Sequence, residues 1–151
     1  MKINELFDEY WNLSDEKEPE NLLTWIKGLI KKHPSDLDLR YVYLDVLRFN
    51  NLDAEDDQEE PIVMNRCTEV IKDKTNKSIS IAKAYCYRGS MKNYGVDRRN
   101  DFDKSLSILN GIKPQDVEIR FIKQLIDTNY PFEFRPSLFI NINDRNMFTF
   151  N

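Results

Sequence analysis

The stretch Ile81-Ala-Lys-Ala-Tyr-Cys-Tyr-Arg-Gly89 decides the fold of this chain. Its apolar side chains recur every three or four residues, which is the period of one face of an α-helix. Two segments can be overlaid on its start: Leu37-Asp-Leu-Arg-Tyr-Val42 begins 44 residues earlier, and Val117-Glu-Ile-Arg-Phe-Ile122 begins 36 residues later. A two-helix unit that recurs at such an interval is typical of a helical solenoid. We therefore predict an all-α fold of antiparallel helical hairpins stacked on one another.

Outward from this stretch, the same apolar spacing predicts seven helices joined by short connections. The predicted helices cover about residues 3–12, 19–32, 36–50, 61–74, 81–93, 100–111 and 115–130. Residues that commonly cap helices stand at several of these boundaries, as Asp36 and Gly111 do. A length of 151 residues fits one hydrophobic core.

The middle unit resembles a tetratricopeptide repeat. The resemblance is carried by Ala82-Lys-Ala-Tyr-Cys-Tyr-Arg-Gly89, then Asp101-Phe-Asp-Lys-Ser-Leu106, then Pro114, and it covers about 33 residues. It implies a scaffold that binds peptides or proteins on a concave face. The small residues implied to lie where two helices approach closely are Ala82, Gly89 and Ser105. The first unit departs from the pattern, because the bulky Asp45 stands at the position of Gly89.

The overlay also predicts which side chains line the concave face. They are Leu39, Val42 and Val46, then Lys83, Cys86, Ser90 and Asn93, then Ile119, Ile122 and Ile126. An apolar groove of this kind either binds a partner or is filled from within the chain. If it holds an extended peptide, we expect Arg40, Lys83 and Asn93 to make the polar contacts.

The C-terminal segment differs in character from the helical part. Residues 138–142 and 147–150 are β-prone and are separated by the turn-like residues 143–146. We predict a helical-repeat domain over residues 1–131, and an aromatic tail over residues 132–151 that packs on the same domain. The tail is predicted to form a short β-hairpin or an extended docked segment, and it is the nearest candidate to fill the groove.

The net charge of −4 is concentrated in one segment. Residues 51–60 contain six carboxylates and no Lys or Arg, so the remainder of the chain carries +2. The acidic residues are Asp53, Glu55, Asp56, Asp57, Glu59 and Glu60. We predict that this segment is a loop before the fourth helix and that it presents a negative field to a basic partner. General attraction to nucleic acid or to an anionic membrane is disfavoured.

The sequence lacks the residue patterns that most kinds of catalytic site require. The single histidine, His33, precedes a proline at a helix end, and no nucleophile motif accompanies it. The four glycines form no phosphate-binding loop, and the acidic segment lacks the glycine and the final glutamate of a calcium loop. Cys67 and Cys86 lack metal-ligand spacing, so we predict buried free thiols, no metal and no cofactor. Paired carboxylates for acid–base catalysis stay open.

These observations favour a non-enzymatic protein-binding module. No apolar run reaches the length of a membrane span and the first residues do not resemble a signal peptide, so we predict a cytoplasmic protein. The most specific hypothesis is an immunity- or antitoxin-type inhibitor that neutralises a basic toxin, such as a nuclease. The alternatives are an adaptor or co-chaperone that holds an extended peptide in the groove, and a hydrolase that uses paired carboxylates.

Overall fold

The computed structural model describes residues 1–16 and 19–135, which form seven α-helices and one short 3-10 helix. The helices are α1 (Ile3–Glu16), α2 (Pro19–Lys32), α3 (Leu37–Phe49), α4 (Asp53–Lys72), α5 (Ser78–Met91), α6 (Gly95–Asn110) and α7 (Val117–Asn129). The 3-10 helix is Phe132–Phe134. The described residues contain no strand, so the predicted all-α fold is confirmed there. The predicted hairpin over residues 138–150 lies outside the described residues.

No helix in the described ranges is long and apolar enough to cross a membrane. The cytoplasmic location and the boundary between residues 131 and 132 stay predictions.

Two helices begin at aspartates that satisfy unpaired backbone amides. The Asp36 carboxylate accepts a hydrogen bond from the Leu39 amide at 3.1 Å, and Asp116 accepts one from the Ile119 amide at 3.0 Å. Such caps fix the first turns of α3 and α7, because the first amides of a helix have no partner within it. At the other end of α3, Asn51 adopts a left-handed conformation with φ of 55°, which turns the chain directly into α4.

The acidic segment is helical, and the prediction that it is a loop was wrong. Helix α4 begins at Asp53 and continues through Pro61, instead of beginning at that proline. Carboxylates in the first turn interact favourably with the positive end of the helix dipole. Pro61 removes only one backbone hydrogen bond, and its exposed position leaves the freed carbonyl accessible to water.

The helices alternate in direction along the chain, and the contacts between them show the register. The pairs in contact are Ile3 with Glu118, Phe7 with Phe121, Asp38 with Lys83, and Tyr41 with Tyr87. Residue numbers rise together in these pairs, so α1, α3, α5 and α7 run parallel to one another. Helices α4 and α6 run against them. For α6 this is shown by the pairs Ala82 with Ser105 and Arg88 with Asp101, in which the residue number rises on α5 and falls on α6.

This alternation gives the bundle two ends, which we call the upper and the lower end. The upper end comprises the connections 50–52 and 92–94 and the segment 130–135 after α7. The lower end comprises the connections 33–36, 73–77 and 111–116, together with Met1 and Lys2.

Helix α1 closes the groove that the sequence predicts between the inner helices. The Phe7 ring lies 6.3 Å from the Tyr41 ring on α3 and 5.4 Å from the Phe121 ring on α7, measured between centroids. The Ile3 amide donates to Glu118 on α7 at 3.3 Å. The predicted concave-face residues are consequently buried or half-buried, with the exception of Asn93. Among the described residues the groove is therefore filled by α1. The prediction that the C-terminal tail fills it rests largely on residues 136–151, which lie outside the described residues, and it stays a prediction.

Helices α5 and α6 approach closely at the small residues that the resemblance implies. A Cβ atom on Gly89 would lie 3.0 Å from the Phe102 ring. The Ser105 hydroxyl donates to the Ala82 carbonyl at 2.7 Å, and both residues are fully buried. The close contact is thus confirmed, and it holds the two helices of the middle unit together.

The start of the predicted tail packs on the helical part. The 3-10 helix Phe132–Phe134 lies against the beginning of α6, where the Arg99 guanidinium stands 4.4 Å from the centroid of the Phe134 ring. Gly95 faces the Glu133 side chain, and a larger residue there would meet it.

Candidate protein-binding surface

Three of the predicted partner-binding residues form internal ion pairs. The Arg40 guanidinium on α3 donates to both carboxylate oxygens of Glu59 on α4, at 3.1 and 2.9 Å, and to the Pro34 carbonyl at 3.0 Å. Glu59 is buried. The third residue is Lys83, whose ammonium lies 2.8 Å from Asp38. These side chains join helices to one another instead of facing a partner.

Lys83 is part of a network that joins α1, α3, α5 and α7. Its ammonium also lies 3.4 Å from Glu118, which accepts the Ile3 amide, and the Tyr87 hydroxyl donates to Asp38 at 2.6 Å. Burial lowers the pKa of Lys83, but the charges and hydrogen bonds of Asp38 and Glu118 outweigh this and raise the pKa overall. Lys83 is therefore a charged residue that joins α5 to α3 and α7, and two of its three N–H donors are used within the fold.

Two further acids of the segment form ion pairs with Arg48 on α3. Arg48 donates from Nε to both oxygens of Asp56 at 3.2 Å and from Nη2 to Glu60 at 2.6 Å. This arginine and Glu60 are exposed enough for water to screen the interaction, so it orients the two carboxylates more than it stabilises the fold.

The remaining predicted residues lie together at the upper end. Asp53, Glu55 and Asp57 are exposed on the first two turns of α4, and no cation of the described residues lies within 4 Å of their carboxylates. Asn93 is exposed in the connection between α5 and α6, at the same end. The structure thus divides the nine predicted residues into a free set and a set that is used internally.

Exposed aromatic residues at the upper end were missed by the sequence analysis. Phe49 ends α3, Tyr94 precedes α6, and Phe132 follows α7, and each is exposed. Helical spacing gave no signal for them, because each stands at a helix boundary where the apolar period stops. Whether a residue at a helix boundary is exposed depends on how the neighbouring helices pack around it.

A shallow pocket of about 250 Å³ lies at the lower end. Its lining residues are Asp36, Leu37, Asp38, Val70, Asn76, Ser80 and Lys83. The two carboxylates already accept hydrogen bonds, Asp36 from the Leu39 amide and Asp38 from Lys83 and Tyr87. Both carboxylates thus have roles within the fold: Asp36 caps α3, and Asp38 joins α3 to α5.

The cysteines are free and buried, as predicted. Burial is the main cause that raises the pKa of Cys67, to about 12, so its thiolate is disfavoured near neutral pH. Within residues 1–16 and 19–135, no group of three His, Cys, Asp or Glu side chains is arranged to hold a metal ion.

No protein-family model, no curated protein and no solved structure matches this chain. The tetratricopeptide resemblance therefore stays a prediction, and the packing of α3 to α7 as antiparallel neighbours is compatible with it.

Proposed function

We propose that this chain is a non-catalytic inhibitor of the immunity or antitoxin type, which binds a basic toxin domain, such as a nuclease, in the cytoplasm. The observation that carries the proposal is the free set of carboxylates. Asp53, Glu55 and Asp57 point into solvent from a helix, while the other acids of the segment are held by Arg40 and Arg48.

A helical acidic segment suits tight binding better than a loop does. The ion pairs from α3 hold α4 in place, so less conformational entropy is lost when a partner binds. Unpaired surface carboxylates accelerate the encounter with a basic surface and orient it, and salt weakens this effect. We therefore expect a one-to-one complex whose affinity falls as the ionic strength rises.

The test uses the full chain to capture its partner from the native host, followed by calorimetry on the purified pair. We expect the dissociation constant to rise about tenfold or more between about 50 and about 200 mM NaCl. The combined variant Asp53→Asn, Glu55→Gln, Asp57→Asn should lose a similar factor and most of the salt dependence.

The matched control removes the same charge away from the upper end, in the combined variant Glu5→Gln, Asp8→Asn, Glu69→Gln. These residues are exposed, and the control should bind within about twofold of the unchanged chain. Binding that does not depend on salt, or full binding by the variant neutralised in α4, contradicts the proposal.

The adaptor alternative receives less support from the structure. It requires an accessible groove, and α1 occupies the space between α3 and α7. A peptide array would separate the two functions: an adaptor binds extended peptides in a manner that depends on Arg40, Lys83 and Asn93, whereas the proposed inhibitor does not. Turnover of a generic substrate, abolished by one Asp or Glu substitution, would favour the hydrolase alternative instead.

A further inference from the structure

The exposed apolar side chains of this protein are concentrated at one end. Of the eight large hydrophobic residues that are most exposed in the described part, four lie at the upper end. They are Phe49 (58%), Tyr94 (75%), Val96 (50%) and Phe132 (62%). Of these eight residues, two lie at the lower end, Met1 and Val117. Aromatic residues are enriched among those that contribute most to protein interfaces, so this distribution marks the upper end as a contact surface.

We propose that the upper end is a composite docking surface, in which Phe49 and Tyr94 are the apolar anchors and Asp53, Glu55 and Asp57 form the charged rim. The occupant is another protein whose surface has basic residues around an apolar recess. This inference rests on the proposed function for the basic character of the partner, and it adds the anchors that the acidic segment lacks.

The backbone next to Phe49 is fixed where the acidic segment begins. Only residues 50–52 separate it from Asp53, and backbone hydrogen bonds fix them: Asn50 donates to the Val46 carbonyl at 3.1 Å, and Leu52 donates to the Leu47 carbonyl at 3.0 Å. An anchor on a fixed turn loses little entropy on binding.

Tyr94 is held in a similar way at the start of α6. The Arg98 guanidinium donates to the carbonyls of Ser90 and Lys92, at 3.1 and 2.8 Å, and so braces the connection 92–94 from within. Tyr94 itself is the most exposed large hydrophobic residue of the described part. Its phenol has a polar tip on an apolar ring, which suits a wet interface.

In the described part of the chain, the arginines of α3 and α6 form no ion pair with Asp53, Glu55 or Asp57. Arg48 is engaged by Asp56 and Glu60, Arg98 by backbone carbonyls, and Arg99 lies over the Phe134 ring. Asp53, Glu55 and Asp57 therefore stay available to pair with the cations of a basic partner.

Charge is also segregated along the bundle axis. Exposed lysines gather at or next to the lower end: Lys2, Lys31, Lys32, Lys72, Lys74, Lys77 and Lys113. These like charges disfavour the approach of a basic partner at the lower end.

The test pans a phage-displayed library of random peptides, each about twelve residues long, on the full chain. We expect enriched peptides to carry Lys or Arg around an aromatic or aliphatic residue. The affinity of the best synthetic peptide is then measured by fluorescence anisotropy. Phe49→Ala and, separately, Tyr94→Ala should each weaken binding about tenfold. Val117→Ala, at a residue of the lower end exposed to 57%, should change it less than about twofold.

Each outcome decides between the two proposals. No enriched sequence, acidic enriched peptides, or binding that neither anchor variant weakens would overturn the inference. If only the variant neutralised in α4 loses binding, the docking surface fails while the inhibitor proposal stands. If the anchor variants lose binding but neutralisation has no effect, the anchors stand and the electrostatic basis of the proposed function fails. Self-association that Phe49→Ala abolishes would assign the surface to a second copy and overturn the inference.

Discussion

At the scale of single residues, two glycines in helices have opposite roles. Gly28 lies on the exposed face of α2, and a Cβ atom there would meet nothing within 4 Å. Gly89 lies on α5 against the Phe102 ring and the Asp101 Cβ atom, which a new Cβ would meet at 3.0 and 3.1 Å. Gly28 therefore destabilises its helix without a packing role, whereas Gly89 permits the close contact between α5 and α6.

We predict that Gly28→Ala raises the free energy of unfolding by about 0.5–1 kcal/mol, because alanine loses less backbone entropy in a helix. Gly89→Ala should lower it by about 1–3 kcal/mol, because the added methyl group overpacks the interface. Urea denaturation followed by circular dichroism measures both. A gain in stability from Gly89→Ala would show that α5 and α6 are not in close contact.

Asp101 is a buried carboxylate whose ion pairs make the stability of the protein depend on pH. It is buried, accepts two hydrogen bonds of 2.9 Å from Arg88, and lies 3.0 Å from the Lys92 ammonium. Burial alone would raise the pKa of Asp101, but these two cations and their hydrogen bonds lower it below its usual 3.8. A depressed pKa in the folded state stabilises the protein above the unfolded-state pKa, and this contribution is lost as the pH falls through the folded-state value.

We therefore predict that Asp101→Asn lowers the free energy of unfolding by about 3 kcal/mol at neutral pH. The difference from the unchanged chain should stay constant down to about pH 4 and narrow below it, because the carboxylate then becomes protonated. Denaturation at several pH values measures this, with the exposed Asp8→Asn as a control expected to show no such trend. A difference that stays constant to pH 2 would be evidence against the ion pair.

At the scale of elements, helix α4 is where sequence and structure differ most. Six acids without apolar spacing resemble a loop, and Pro61 resembles a helix start. In the structure α4 is instead anchored to α3 by the half-buried Arg40, which pairs with the buried Glu59, while Arg48 orients Asp56 and Glu60. That information lies in another segment of the chain, so local patterns could not contain it.

The continuity of α4 can be tested at Pro61. Inside a helix, proline removes a hydrogen bond, so Pro61→Ala should raise the free energy of unfolding by about 2 kcal/mol. If α4 began at this proline, the same substitution would be neutral or destabilising. Pro34→Ala, in the exposed connection before α3, is the matched control. It should lower the free energy of unfolding by about 0.4–1 kcal/mol, because alanine gives the unfolded chain more conformational freedom than proline does.

At the scale of the whole molecule, α1 converts a row of helical hairpins into a closed ring of α1, α3, α5 and α7. Trp11 on α1 contacts Phe121 on α7, and Trp25 on α2 stacks on Tyr10 of α1. Both tryptophans of the chain thus report on the docking of α1, whereas circular dichroism reports on all helices.

We predict that urea unfolding followed by tryptophan fluorescence and by far-ultraviolet circular dichroism gives coincident transitions. Helix α1 packs between α3 and α7, and its Ile3 amide donates to Glu118 on α7. We expect it to detach only when the four helices separate, so both signals should change together. A fluorescence transition at lower urea would show that α1 detaches first, and that the groove opens while the remaining helices stay folded.

The sequence by itself determined the helical class, the positions of most helices, and the small residues at the contact of α5 with α6. The helical class and the helix positions follow from periodicity, a local property that acts over one or two helical turns. The small residues at that contact were implied by the resemblance to a tetratricopeptide repeat. The tertiary structure alone decided that α1 fills the groove, that Arg40, Glu59 and Lys83 serve as internal braces, and that Phe49 and Tyr94 stay exposed beside free carboxylates. Those outcomes depend on which distant segments of the chain come into contact. A charged or aromatic side chain stabilises the fold when a residue of another helix packs against it, and it stays available to a partner when no such residue does.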